Sequence, residues 1–492
     1  MKRSKLWIYV ISLVFGAGIM VSCSDDDNNN PTPSPQYEAQ VGTYVWGSTI
    51  YDMGTDGASR LAEAYEQAGI KHVVLLVKGE AGKVGYNSSI APKVRTDRDI
   101  LQETVTAMHA RDIKVYAWLM VCKDAAWLVD HPTTASYHFR RGYVDNIVDP
   151  TNAEYREYLG KIVKEIDQNY AVDGFAFDGL RYMGAYFGWS DSDYERLTAS
   201  TSQGGYGITL AQYNELVTLM AREFGYPTSA DATGRLVYDA NATAPAAEGG
   251  VLFDAYTSEH PGVYAFGKMR ENIIDDFCEQ MVELTSKPTY IALMPEASSG
   301  PTYATLSYGQ TYNQAYTFDV VCPMLYAADY GKDATWVTSN INYIKNLGYS
   351  KILASLQAYR SADTESLAAD VKAATDAACT GYLLFRTGTY DMARPVKNND
   401  GSITLTYVRG TDSTCGNLTI TLSGATPASV AMGGKLAQTS YTINGQTITL
   451  AADALTKLGE YGTLQISLSN ISNPAVKVES DERIVYNAPM NY

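Results

Sequence analysis

The 492-residue sequence predicts an α/β fold, a (β/α)8 barrel followed by a smaller all-β sandwich. Three observations carry this prediction. Short apolar runs alternate with helix-period segments over residues 41–385. The fourth of these runs ends on a carboxylate. After Pro395 the helical period gives way to two-residue alternation around hairpin-turn residues.

Residues 41–46 read as the first strand, and 58–68 as the helix that follows. The nearly continuous apolar run 72–78 has the pattern of a strand covered on both faces. A helix is expected over 97–110 and the third strand over 114–121. Ahead of the fourth strand, Tyr155, Leu159, Ile162, Val163 and Ile166 fall on one helical face, with Thr151 and Glu154 spaced as a capping box. Past Asn169, residues Gly174, Phe175, Ala176, Phe177 and Asp178 alternate small and large. If Phe175 and Phe177 pack outward on helices, Gly174, Ala176 and Asp178 point to the barrel axis. Helices are expected at 209–224, 263–285, 333–347 and 364–378, and strands five to eight at 289–294, 318–326, 351–359 and 380–385. The barrel is assigned to 39–392.

The long irregular stretches 124–145, 183–206 and 297–312 follow strands three, four and five. On that face of a barrel, loops carry function. The Ala-, Gly- and Thr-rich stretch 230–261 has no role that its composition assigns. From 393 to 492 strands recur, and Asn444-Gly445 between 441–443 and 447–450 marks a tight hairpin.

Hydrophobic residues make up 46% of the chain and charged residues 19%, the composition of a globular protein. With a net charge of −16 and no basic stripe in the sequence to neutralise phosphates, nucleic acid is not an expected partner. Tyrosine is abundant, with 38 residues. Tyrosine faces suit stacking on pyranose rings, and tyrosine equally fills half-buried strands.

At the N-terminus, Lys2, Arg3 and Lys5 precede an apolar run over 6–21 that is short for a membrane span. Met20-Val21-Ser22-Cys23 resembles a bacterial lipobox, with Met20 where Leu is usual. The resemblance implies a signal peptide over 1–22 and a lipid anchor on Cys23. Residues 23–38, rich in Asp, Asn and Pro, read as an unfolded tether. Its acidic start resembles the export tag of surface lipoproteins in some Gram-negative bacteria, so the expected location is the outer membrane, exposed at the cell surface. Cys122, Cys278, Cys322, Cys379 and Cys415 form neither an even set nor a metal-ligand spacing. Neither a metal nor a cofactor is expected.

Parity extends to the fifth strand. There Ile291 and Leu293 share one face, leaving Ala292, Met294 and Glu296 on the other, which sets Glu296 at the height of Asp178 on the neighbouring strand. Two carboxylates flanking a cleft can cleave a glycosidic bond, one protonating the leaving oxygen and the other attacking carbon or activating water. Each could instead be a hydrogen-bonded acid fixing a loop. Trp46, Lys78 and Trp118 end strands one to three and have the position for a sugar platform and a hydroxyl donor. Arg181 and Tyr182 follow Asp178 closely, and a cation there favours its charged form. Met324, Tyr326, Gln357 and Arg386 end strands six to eight. Together they make a polar, aromatic mouth, although any one could be barrel packing.

The motif VDGFAFDGLRY over 172–182 resembles the VDGIHLDYIRYP pattern of the glycosyl hydrolase-like family-ten lipoproteins. The likeness continues in the preceding DPTNAEYREYL and in VVLLVKGEAGKVGYNS, GKMRENIIDDF and FDVVCPMLY. It implies a TIM-barrel carbohydrate-active enzyme acting on a polysaccharide, with Asp178 in the active site. In related α-amylase-like barrels an Arg stands two residues before the fourth-strand Asp, and a further Asp follows strand seven. Here those positions hold Ala176 and Gln357. The segment 440–469 resembles Ig-like accessory modules of secreted glycan-degrading proteins, which bind carbohydrate or act as spacers.

The expected function is therefore that of a surface-anchored glycoside hydrolase cleaving a poly- or oligosaccharide without a cofactor. The alternative is a non-catalytic barrel that binds glycan and passes it to other uptake proteins.

Overall fold

Eight parallel strands close into a barrel: Gln40–Trp46, His72–Lys78, Lys114–Met120, Gly174–Asp178, Thr289–Leu293, Val320–Leu325, Leu353–Gln357 and Gly381–Phe385. Each pairs with its neighbours in sequence, and the eighth closes on the first through the ladder Gln40 to Gly381. The structure is a computed structural model that describes residues 40–95, 97–315, 317–410, 414–423, 429–434, 441–469 and 475–490. The expected signal peptide, the tether and Cys23 lie outside the described residues. None of the described helices is long and apolar enough to cross a membrane.

Strand parity follows the alternation of the sequence. Phe175, Phe177, Ile291 and Leu293 join the large core between strands and helices. Tyr44, Trp118, Ala176, Tyr290 and Cys322 fill the barrel interior. The small residue at Gly174 has a specific use. Tyr116 and Tyr290, from strands three and five, stack at 4.2 Å across strand four. A Cβ at Gly174 would lie 2.7 Å from the Tyr116 ring and 2.3 Å from the Pro288 carbonyl.

The helix before strand four is Ala153–Asn169, and its cap differs from the expected one. Asn152, rather than Thr151, accepts the Tyr155 N–H at 2.8 Å, while the Thr151 N–H donates to Asp149 at 2.8 Å. An Asx turn at Asp149 thus draws Thr151 out of the capping position. Between strands four and five, helices Asp191–Thr198, Leu210–Phe224 and Pro261–Val282 enclose a separate core around Trp189, Leu216, Phe266 and Met269. The stretch 230–261 finds its role here. Leu236, Tyr238 and Leu252 from it cover this second core.

The C-terminal region forms two sheets. One runs Ser429–Gly434, Thr463–Ser469, Ile403–Val408, Tyr390–Lys397, Ile484–Asn487, and the other Tyr441–Asn444, Thr447–Leu450, Leu418–Ser423, Ala475–Ser480. Leu405, Ile420, Ile448 and Ile466 pack in the core between them. The first sandwich strand starts at Tyr390. Its Tyr390 and Met392 side chains belong to the barrel core while Ala393 belongs to the sandwich. Tyr390 donates to Thr43 at 2.7 Å, and the Tyr382 and Tyr486 hydroxyls meet at 2.6 Å, so this joint is hydrogen-bonded as well as apolar.

Candidate active site

The C-terminal ends of the strands open into a cleft of about 580 Å³. Of the residues expected there, Trp46, Trp118, Asp178, Arg181, Met324 and Tyr326 line it, together with Met120 and Phe385. The register explains the convergence: Asp178 is level with Met120 on strand three, and both belong to the inward-facing set. The loop after strand two adds Glu80, Lys83, Arg95 and Arg98 on one side.

Asp178 ends strand four with its side chain 14% exposed. Its Oδ1 accepts the Gly179 N–H at 2.5 Å and faces Arg181 Nη1 at 3.0 Å. Burial, with the Asp178 charge added, raises the Tyr44, Cys322 and Tyr326 groups well above their usual range. These neighbours stay protonated, and Tyr44 shares a 2.9 Å hydrogen bond with Ser355. Trp118 is 4% exposed and its Nε1–H has no hydrogen-bond partner among the described residues. A buried donor without a partner is costly, so this one is suited to an acceptor arriving from the cleft.

Five of the expected residues stand elsewhere. Lys78, expected at the mouth as the end of strand two, is brought level with Leu119, an outward-facing position, by a β-bulge between Leu76 and Lys78. There it is fully buried, 3.0 Å from Asp124, and donates to the Met120 and Lys123 carbonyls. Glu296 is not on strand five, which ends at Leu293. Pro295 turns the chain into a short helix, Glu296–Ser299. Because Phe177 pairs with Ile291, Asp178 is level with Ala292, and Glu296 lies four residues further on. Glu296 Oε1 accepts the Tyr330 hydroxyl at 3.1 Å, while Oε2 is buried without a partner among the described residues.

Tyr182 is 2% exposed and lies behind the cleft, its ring 3.8 Å from the Arg270 guanidinium. Gln357 is fully buried and grips Asp329, donating to its carboxylate and accepting its N–H, both at 2.9 Å. Arg386 lies on the Trp46 ring at 3.3 Å, covering one face of the expected platform.

Residues 43–364 match the model of a family described as "Putative glycosyl hydrolase domain" (DUF4015). The chain belongs to this family. The glycoside hydrolase domain of PgaB (BpsB) from Bordetella bronchiseptica is a similar solved structure, with a TM-score of 0.52 and 14% identity over 71% of this chain and 94% of that one. The β-amylase catalytic domain from Paenibacillus polymyxa matches with a TM-score of 0.48 and 9% identity over 70% and 92%. The first of these likenesses agrees with the barrel. No curated protein sequence matches.

Within this DUF4015 domain, sequence reasoning missed a carboxylate that the structure holds at the end of strand seven, outside the cleft lining. Asp329, in the loop after strand six, accepts Tyr359 Oη at 2.7 Å, Ser361 Oγ at 3.0 Å and the Gln357 amide. Burial acts to raise its pKa, but these donors outweigh it and hold the carboxyl below its usual range. A carboxylate thus occupies the end of strand seven in space, supplied by the preceding loop. Its only sequence signal was proximity to the sixth strand. Among the described residues, no group of three or more His, Cys, Asp or Glu side chains is placed to hold a metal ion.

Proposed function

We propose that the protein is a glycoside hydrolase acting on a poly- or oligosaccharide, with Asp178 at the reacting bond. The observation that carries this is the Asp178–Arg181 pair set in an aromatic cleft of about 580 Å³ at the C-terminal face of the barrel. Asp178 serves as nucleophile or as the base for water. Glu296 is the proposed general acid, protonating the glycosidic oxygen as its bond to the anomeric carbon breaks, and water supplies the new hydroxyl. In support, the Tyr330 hydroxyl, from the loop after strand six, holds the Glu296 carboxylate at 3.1 Å. The lipobox-like stretch ending at Cys23 supports anchoring in the outer membrane, which radiolabelled fatty-acid incorporation into wild type but not Cys23→Ala would test.

A second reading is a barrel that binds glycan without cleaving it. The absence of Glu296 from the cleft lining favours it. Reducing-end release across a glycan panel separates the two. The hydrolase reading requires product from the wild type and its loss in Asp178→Asn, while Glu296→Gln and Asp329→Asn identify the second acid. Binding without product from any glycan favours the second reading.

A further inference from the structure

The loop after strand two folds back on itself, with the Val84 N–H on the Pro92 carbonyl and the Val94 N–H on the Val84 carbonyl, both at 2.9 Å. This sets Lys83 and Arg95 along one wall of the cleft. The other cations lining it are neutralised: Arg98 by Glu103 at 2.5 Å, Lys123 by Glu80 at 2.8 Å and Arg181 by Asp178 at 3.0 Å. Lys83 and Arg95 have no carboxylate partner among the described residues. Arg95 is nonetheless held in place, its guanidinium 4.5 Å from the Tyr51 ring, which also carries Arg98 at 5.2 Å.

An acidic chain of net charge −16 thus keeps two exposed cations without a carboxylate partner among the described residues on the lining of its cleft. A neutral sugar could accept hydrogen bonds from these cations but gains no charge pairing, an anionic one gains both, and a cationic sugar would be repelled. We propose that the cleft takes an anionic saccharide, its carboxylate or sulfate oxygens held by Lys83 and Arg95. A guanidinium offers such an oxyanion a planar pair of donors. Trp118, which also lines the cleft, has a buried Nε1–H without a partner among the described residues. The inference deepens the hydrolase reading by naming its substrate class, and as a statement about binding it stands apart from turnover.

Calorimetric titration of the full-length Asp178→Asn protein tests it. The probes are oligogalacturonate for carboxylate, dextran sulfate for sulfate ester, neutral dextran, chitosan oligosaccharide and a single-stranded oligodeoxynucleotide. Either acidic saccharide should bind about tenfold or more tighter than dextran and chitosan, with the advantage shrinking as salt rises to about 0.5 M. The double variant Lys83→Gln, Arg95→Gln should lose that advantage at an unchanged melting temperature. Failure of both acidic saccharides to bind, equal binding of dextran or chitosan, or an unaffected double variant would overturn the proposal. Equally tight binding of the oligodeoxynucleotide would overturn the saccharide assignment. Product release from neutral glycans alone would also sink it and leave the hydrolase reading intact. Acidic-saccharide binding without product from the wild type would do the reverse.

Discussion

Lys78 Nζ and Asp124 Oδ2 face each other at 3.0 Å with both side chains wholly buried, and the pair ties strand two to the loop after strand three. Asp124 also caps the helix Ala125–Asp130 through the Trp127 N–H at 2.8 Å. Burial lowers the Lys78 pKa, and Asp124 is the main group opposing that shift. Asp124→Ala would strand an ammonium in the interior, so a loss of about 3–5 kcal/mol in urea unfolding is expected. A loss under about 1 kcal/mol would contradict a structural role for the pair.

Asp178→Asn keeps the shape of the side chain but removes the charge opposite Arg181. If Asp178 is the nucleophile or base, kcat should fall by about a thousandfold or more while KM changes little. A variant with near-normal kcat would remove Asp178 from the chemistry.

His72 is 3% exposed with no partner for Nε2 among the described residues, and burial, helped by the Lys114 charge, pushes its pKa down to about 4. In the unfolded chain it titrates near 6.5, so between these values only the unfolded chain takes the proton. The stability contributed by keeping His72 neutral is full above about pH 6.5 and is lost toward pH 4, by about 3 kcal/mol. His138, lowered to about 4 by burial and the Arg141 charge, acts in the same direction. Urea midpoints for His72→Leu should therefore fall less than those of the wild type between pH 7 and about 4.5. Parallel declines would rule out His72 as a contributor.

Gly174→Val would drive a branched side chain into the Pro288 carbonyl and the Tyr116 ring that stacks on Tyr290. The Cβ position lies 2.3 Å from the Pro288 carbonyl and 2.7 Å from the Tyr116 ring, so backbone or ring must shift. A destabilisation of about 1–3 kcal/mol is expected, read as a lower melting temperature. An unchanged melting temperature would mean that the barrel floor tolerates the displacement.

The sequence by itself determined the eight strands, their inward and outward faces at Phe175, Ala176 and Phe177, and the place of Asp178. Each depends on a local repeat, because successive strand residues face opposite ways whatever lies beyond. Tertiary structure decided where that repeat fails. A bulge after Leu76 turned Lys78 out of the barrel, and the turn at Pro295 carried Glu296 past the level of Asp178. It also decided what meets across long separations: Arg270 under Tyr182, Asp329 in the grasp of Gln357, and Lys83 beside Arg95 on the cleft wall. Such meetings depend on how distant segments pack and which buried charges find partners, and no periodic pattern along the chain encodes that.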